Sequence, residues 1–323
     1  MIKKRLAQSS ALLLLLTFVL MFAPKGAPQS SGPTLKKIAE FDLPGPGGKR
    51  FDYLTVDPDD HYLLSAHLAA KQTYVIDVKT NKVVATVTDT PGAEGVEYVP
   101  GLRKFYSSNA YDNTIGGVGL KQMKVVKKLK TEAKPDGSAY AAPFHKLYVS
   151  DERGKTEAVV DVVKDEIVKT LHFDSETGMP QYDPVARKVY VNLQDQNIFA
   201  VIDPVTDEVV GRFPVGRCKG NHGMALDPQH HRAFLSCEGN ELMTVFDLDK
   251  CHQTGLDLIR RKVRILLDEQ GSSAAYHGCG HTCAAQPHIR RRDLVIFGIA
   301  ARGRVGSSRG GVLAQINIGG STQ

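Results

Sequence analysis

The chain has 323 residues, of which 24% are charged, with five cysteines and no tryptophan. This length can bury a large core, as one large all-β domain or as two smaller domains. The net charge of +6 lies in the C-terminal part, because residues 1–250 hold 31 basic and 31 acidic residues and residues 251–323 hold 10 and 4. A body without excess positive charge argues against nucleic acid as a partner.

Residues 1–27 have the pattern of a secretory signal peptide. Three basic residues at positions 3–5 precede an apolar run from Ala11 to Phe22, which is shorter than the roughly 20 residues that a membrane-spanning helix needs. A linker rich in Pro, Gly and Ser follows at residues 28–34, and no second long apolar run appears. We therefore expect export to the periplasm or the exterior, with no membrane span in the mature chain; an uncleaved anchor is the alternative.

From residue 35 to residue 250 the sequence repeats with a period of about forty residues. Five short β-rich runs end in a proline, and the prolines are 42, 43, 41 and 44 residues apart: Pro58, Pro100, Pro143, Pro184 and Pro228. A last run in each of four units carries a valine at a constant spacing of 42: Val84, Val126, Val168 and Val210.

Each unit contains four short runs rich in β-branched and aromatic residues, separated by turn residues. Units of this length and composition predict the four-stranded antiparallel blades of an all-β β-propeller. A β-sandwich or a β-helix is the alternative, but a sandwich does not repeat one register five times and β-helix repeats are much shorter. The predicted units are residues 51–93, 94–135, 136–177, 178–219 and 220–250.

The segments 196-QNIFAVIDPVTDEVVGRFPVG-216, 189-VYVN-192 and 147-LYVS-150 resemble the YVTN-repeat β-propeller family of exported bacterial proteins. The resemblance covers residues 35–250 and implies a seven-bladed ring. It also implies that the strand at 35–45 joins the final blade and closes the circle. It implies no particular ligand, because members of the family bind different things.

The repeat pattern stops near residue 250. Lysine falls from 23 in residues 1–250 to 1 in residues 251–323, while arginine changes from 8 to 9. The expected valine and proline positions are not filled beyond this point. The change indicates a reading-frame shift near residues 249–251, with a genuine appended module at 251–323 as the alternative. We therefore expect an incomplete fifth blade, the loss of the last two blades and a divergent tail.

Four of the five units carry a polar residue at a corresponding or adjacent position before the proline: Asp52, Glu94, Asp136 and His222. The innermost strand of a propeller blade lines the central channel, so these side chains are predicted to meet at the channel mouth. Such a ring suits a metal ion, a cationic group or a polar small ligand. The alternative is that they only cap ordinary turns. Nothing in the sequence requires a cofactor.

Two cysteine features remain. Cys218 and Cys237 are candidates for a disulfide, which export permits. In the tail, four alternating residues have side chains that can bind zinc or copper: His277, Cys279, His281 and Cys283. Their spacing places them along one face of an extended strand, too spread out for one ion, and we interpret them as accidental residues of the tail.

Acidic residues that end the third strand of a unit recur at Asp77, Asp161, Asp203 and Asp247. A catalytic group is normally needed once, so these are predicted to form turns. The sequence thus favours an exported, non-catalytic binding or scaffold protein whose partner is an unknown protein or small molecule. The alternative is a propeller enzyme of the lactone-hydrolysing or quinoprotein type with a metal or small ligand at the channel mouth.

Overall fold

The structure is a computed structural model that describes residue 43 and residues 51–258, 274–275, 296–300 and 312–316. The described part is all-β, with three single-turn 3-10 helices and no α-helix. None of its helices has the length and apolar character needed to cross a bilayer. The predicted signal peptide (1–27), the linker (28–34) and, apart from Leu43, the predicted closing strand (35–45) lie outside the described residues.

Twenty strands form five antiparallel meanders of four consecutive strands each, and a short strand from later in the chain adds to the first of these sheets. Sheet 1 contains β1 Tyr53–Asp57, β2 Tyr62–His67, β3 Gln72–Asp77 and β4 Lys82–Val87. Sheet 2 contains β5 Ala93–Val99, β6 Lys104–Asn109, β7 Thr114–Gly119 and β8 Lys124–Lys130. Sheet 3 contains β9 Pro135–Ala141, β10 Lys146–Asp151, β11 Thr156–Asp161 and β12 Glu166–His172.

Sheet 4 contains β13 Thr177–Asp183, β14 Lys188–Leu193, β15 Ile198–Asp203 and β16 Glu208–Pro214. Sheet 5 contains β17 Asn221–Asp227, β18 Arg232–Cys237, β19 Leu242–Asp247 and β20 His252–Leu258. The first strands of consecutive sheets contact one another in chain order, from β1 through β5, β9 and β13 to β17. This arrangement confirms the predicted β-propeller, with the first strand of each sheet on the inside.

The turn between the third and fourth strands is built in the same way in four of the five sheets; in sheet 2 the third strand ends at Gly119 instead of an aspartate. The aspartate that ends the third strand accepts hydrogen bonds from the next backbone amides; Asp77 Oδ1, for example, accepts from Lys79 N at 2.7 Å and Thr80 N at 3.0 Å. The interpretation of these acids as turn formers is thereby confirmed. The last turn residue has a positive φ of 51–56° in every sheet: Asn81, Met123, Asp165, Asp207 and Cys251.

Apolar seams between neighbouring sheets form the core. One cluster joins sheets 1 and 2 through Leu64, Val75, Val96 and Phe105, and similar clusters lie between sheets 2 and 3, 3 and 4, and 4 and 5. A blade buries both of its faces in this way, which explains why its middle strands are apolar on both sides.

Side-chain hydrogen bonds and ion pairs also connect neighbouring sheets at two of these seams. The Tyr148 hydroxyl donates to Asp207 Oδ1 at 2.6 Å, and Lys146 Nζ lies 2.6 Å from Asp207 Oδ2. Forty-two residues earlier, Tyr106 and Lys104 bind Asp165 in the same manner. At the next seam the corresponding residues are Tyr190, Lys188 and Cys251, and Lys188 instead binds Asp203 of its own sheet at 3.1 Å.

The prediction that the fifth blade lacks its last strand is wrong. Strand β20 pairs with β19 along its length, from Asp247↔His252 to Leu242↔Leu258, and lies beyond the predicted boundary at residue 250. Its register shift between Val245 and Phe246 matches the shift in the other four sheets. The reason is physical: the β19 edge offers backbone donors and acceptors that any extended chain can pair with, whatever its side chains.

The face of sheet 1 that points away from sheet 2 is also buried. Leu54, Leu63 and Tyr74 are buried there in a cluster with Leu43 and Phe51. Strand β1 also pairs with a short strand β21, Ala274–Ala275. Beyond it, β22 Ile296–Ala300 and β23 Val312–Ile316 form a two-stranded sheet. The tail motif that contains His277, Cys279, His281 and Cys283 lies outside the described residues.

Candidate functional site

The four predicted ring residues occupy one equivalent position near the start of their first strands, and Gly178 occupies it in sheet 4. The set is Asp52, which precedes β1, then Glu94, Asp136, Gly178 and His222, each the second residue of its strand. Its members are spaced by 42, 42, 42 and 44 residues. Because the first strands lie side by side, these positions converge at one end of the channel, which we call the mouth. Asp52, Glu94 and Asp136 are buried, with exposed fractions of 6%, 2% and 4%.

A second set of residues reaches the mouth from the turn after the second strand of each sheet. In sheets 3, 4 and 5 these residues are Glu152, Gln194 and Glu238. Each backbone amide donates to a carbonyl just before the first strand of the same sheet: Lys134 O at 2.9 Å, Glu176 O at 2.9 Å and Gly220 O at 3.0 Å, respectively. These bonds fix the second set beside the first.

Lys134 lies among the carboxylates of the mouth. Its ammonium group forms an ion pair with Glu152, and it lies 3.7 Å from Glu94 Oε2 and 3.8 Å from Asp136 Oδ2. The residue has a φ of 57°, a left-handed backbone conformation that costs energy for a side chain other than glycine. The equivalent positions in sheets 2 and 5 are Gly92 and Gly220, both with positive φ. Sheet 3 thus places a lysine where glycine fits the backbone better.

His222 lies on the opposite side of a gap left by sheet 4. Its Nδ1 is 3.6 Å from Glu238 Oε1, and its backbone carbonyl accepts a hydrogen bond from Asn192 Nδ2 at 2.7 Å. Gly178 makes this approach possible, since a Cβ there would meet Gln194 Nε2 at 2.7 Å and His222 Cδ2 at 3.4 Å. The glycine therefore gives sheet 4 no ring side chain but makes room for the imidazole.

The electrostatics of the mouth are dominated by crowded carboxyl groups. Burial, followed by the nearby Asp136 and Asp52 carboxylates, raises the pKa of Glu94 to about 9, although Lys134 acts in the opposite direction. Glu94 is therefore protonated at neutral pH and can donate a hydrogen bond to Asp136. Buried acids whose pKa is raised in this way, by burial and by neighbouring carboxylates, cluster at functional sites.

A disulfide supports the part of the mouth that sheet 5 contributes. Cys218, in the loop before β17, is bonded to Cys237 at the end of β18, with a Cα–Cα distance of 5.2 Å. Cys237 precedes Glu238, and Cys218 lies four residues before His222. The bond therefore joins the two segments that carry the His222 and Glu238 pair.

Sequence reasoning placed Glu94, Asp136 and His222 at the mouth but missed Lys134 and the residues of the second set. The second set repeats at the same spacing, but its members in sheets 1 and 2 are Leu68 and Ala110. Because the equivalent residues of sheets 1 and 2 are apolar, the sequence does not indicate a polar site at this position of the repeat. Lys134 could have been found only by noticing that glycine stands at two equivalent positions.

No protein-family model and no curated protein sequence matches the chain. Among solved structures, a chain of a mitotic checkpoint complex is 8% identical, with a TM-score of 0.60 over 74% of this chain and 72% of that chain. U3-55K is 13% identical, with a TM-score of 0.55 over 67% of each chain. Both are propeller proteins, so the similarity shows the fold. Hydrazine synthase from Kuenenia stuttgartiensis is 18% identical over 70% of this chain and 81% of that chain, but its TM-score of 0.48 is too low to show a shared fold.

Proposed function

We propose that the chain is an exported β-propeller of the YVTN-repeat type that binds a positively charged ligand group at the mouth and catalyses no reaction. The observation that carries this proposal is the charge of the mouth, where five carboxyl groups surround one lysine and one histidine. The carboxyl groups are those of Asp52, Glu94, Asp136, Glu152 and Glu238.

Burial makes this excess of negative charge consequential. Carboxylates removed from water are costly unless they are paired, and Lys134 alone cannot neutralise the group. A ligand that brings one positive charge relieves repulsion between the carboxylates and replaces lost hydration. Both a small amine and a lysine or arginine side chain of a protein partner carry such a charge. The mitotic checkpoint neighbour belongs to a complex, which supports a protein partner for this chain as well.

Export is supported by two independent features. The basic residues at 3–5, followed by the apolar run Ala11 to Phe22, form the signal pattern. The bond between Cys218 and Cys237 is of a kind that persists in oxidising compartments and is rare in the cytosol. We further propose that the divergence of residues 251–323 from the repeat impairs ring closure.

A second candidate function is a propeller enzyme of the lactone-hydrolysing or quinoprotein type. It is favoured by the closeness of Asp136, Glu152 and His222, which are able to hold a metal ion. It is tested by incubating the full chain and Mn²⁺ with γ-butyrolactone. Hydrolysis that is lost in the Asp136→Asn variant would establish catalysis, whereas we expect no hydrolysis above the rate of the buffer.

The proposed binding function is tested by calorimetric titration of the full chain with 1,4-diaminobutane and with the uncharged 1,4-butanediol. We expect the diamine alone to bind, and Asp136→Asn to weaken its binding at least fivefold. Glu208→Gln removes an exposed carboxylate on the outer strand β16 and is the matched control, with unchanged affinity. Equal binding of diamine and diol, or equal affinity in both variants, would rule out the proposal.

A further inference from the structure

Two carboxylates and one imidazole meet at the mouth with spacing that suits a single ion. Among the described residues, one ligand atom from each of Asp136, Glu152 and His222 lies within 4.8 Å of the other two. In a tetrahedral site with bonds of about 2.1 Å, the donor atoms lie about 3.4 Å apart. The three side chains therefore need to close by at most about 1.4 Å, within the reach of side-chain rotation, to bind an ion together.

The hydrogen bonding of Asp136 is a second observation that favours cation binding at the mouth. Asp136 is 4% exposed, and its Oδ1 accepts no hydrogen bond from any described residue. Buried carboxylate oxygens nearly always have a partner, because leaving one unpaired costs its full desolvation energy. A bound cation would supply that partner.

Glu238 stands where a carboxylate commonly orients a metal-binding histidine. Its Oε1 lies 3.6 Å from His222 Nδ1. In metal sites the second ring nitrogen usually donates to a carboxylate, which fixes the ring and makes the other nitrogen a better ligand. Shortening of this contact to a hydrogen bond would orient the imidazole ring in the same way.

Lys134 is the present partner of these carboxylates. Its ion pair with Glu152 and its approach to Asp136 place an ammonium group among the same ligands. A metal ion and the ammonium compete for the Glu152 carboxylate, because their charges repel. Replacing Lys134 with glycine should be structurally mild, since Gly92 and Gly220 occupy the equivalent positions with the same left-handed backbone.

We propose that Asp136, Glu152 and His222 bind one divalent transition-metal ion, which displaces the Lys134 ammonium from Glu152. The inference rests on the proposed function, since it names a metal ion as a cation that the mouth binds. One imidazole beside two carboxylates favours Mn²⁺ or Zn²⁺ over Ca²⁺ and Mg²⁺, which prefer oxygen ligands alone.

The test is a titration of the full chain with Mn²⁺, in which electron paramagnetic resonance measures the free ion. Mn²⁺ is the chosen probe because the cysteine thiolates of the chain are poor ligands for it. We expect one ion per chain, at least threefold tighter binding in Lys134→Gly and at least tenfold weaker binding in His222→Asn. His231→Asn is the matched control: His231 is an exposed histidine that pairs with Asp249, its φ is 52°, and asparagine tolerates that backbone.

The Lys134→Gly variant keeps the test decisive, since misfolding cannot strengthen binding. Absence of Mn²⁺ binding in both the wild type and Lys134→Gly would overturn the inference. So would binding that His222→Asn leaves unchanged. If Mn²⁺ fails while 1,4-diaminobutane still binds in an Asp136-dependent manner, only the metal inference falls. If neither cation binds, the proposed function falls with it.

Discussion

The outer strands and the mouth repeat at the same spacing but use it differently. On the outer strands, four successive sheets carry the same exposed residue, as Val84, Val126, Val168 and Val210. At the mouth, five equivalent positions carry four residue types: Asp52, Glu94, Asp136, Gly178 and His222. Identical residues at equivalent positions indicate a requirement of the blade itself. Different residues that converge on one point indicate a requirement of the site, which is formed only once.

The largest effect we predict comes from the mouth and depends on pH. The pKa of Glu94 is raised from 4.5 to about 9, so the folded state holds a proton that the unfolded state releases above pH 4.5. Stability therefore falls as pH rises across this window, by about 1.4 kcal/mol per pH unit for one such group. Glu94→Gln removes this loss, and we expect it to match the wild type near pH 5 and to exceed it by roughly 4 kcal/mol at pH 8.

The measurement is urea unfolding of both proteins from pH 5 to pH 8. Burial also raises the pKa of Asp151, to about 6, and of Glu157, so the difference between the two proteins isolates Glu94. Glu208→Gln, on an exposed outer strand, should show the wild-type pH dependence. A constant difference between wild type and Glu94→Gln would contradict a protonated Glu94.

The second effect concerns the disulfide that supports the His222 side of the mouth. The bond closes a loop with a sequence separation of 19 residues, and replacing both Cys218 and Cys237 with serine should cost about 3 kcal/mol of unfolding free energy. Urea unfolding in non-reducing buffer measures this cost. Cys251→Ser, at a free cysteine, is the control with little change. A double variant as stable as the wild type would show that the loop holds its place without the bond.

The third effect compares two seams with the same geometry. Tyr148→Phe leaves Asp207 without its hydroxyl donor, and a hydrogen bond to a charged group is worth about 1.5–3 kcal/mol. Tyr190→Phe is the matched variant at the next seam, where Cys251 replaces the aspartate, and should cost under about 1 kcal/mol. Equal losses of unfolding free energy in the two variants would mean that the hydrogen bond to Asp207 does not stabilise the seam.

The smallest effect should come from the outer strands. Val168→Thr keeps a β-branched residue at an exposed position of β12, and surface substitutions of this kind usually change stability by under about 0.5 kcal/mol. Affinity for 1,4-diaminobutane should also be unchanged. A large loss of either would show that this outer column carries a function of its own.

Most of the fold could be predicted from the sequence because a propeller blade repeats its turn residues as well as its strands. The prolines after the first strands and the aspartates after the third strands set the period, and the sheets follow it. The end of the fifth blade was not legible, because the pairing of β20 with β19 uses backbone groups and needs no recurring valine.

The site was only partly legible for a related reason. The first-strand residues of the mouth stand at one equivalent position of the repeat, so Glu94, Asp136 and His222 could be aligned and predicted. Lys134 and Glu152 form an ion pair, but they stand at two other positions of the repeat. In other sheets these positions hold residues such as glycine, leucine and alanine. Only the structure shows that these two positions lie next to the first-strand positions at the mouth.

The most direct test of a cation-binding mouth is anomalous diffraction from crystals of the full chain soaked in Mn²⁺. We predict an anomalous peak within bonding distance of Asp136, Glu152 and His222, with the Lys134 side chain moved away from Glu152. Anomalous peaks confined to other parts of the surface, with Lys134 still bound to Glu152, would contradict the account.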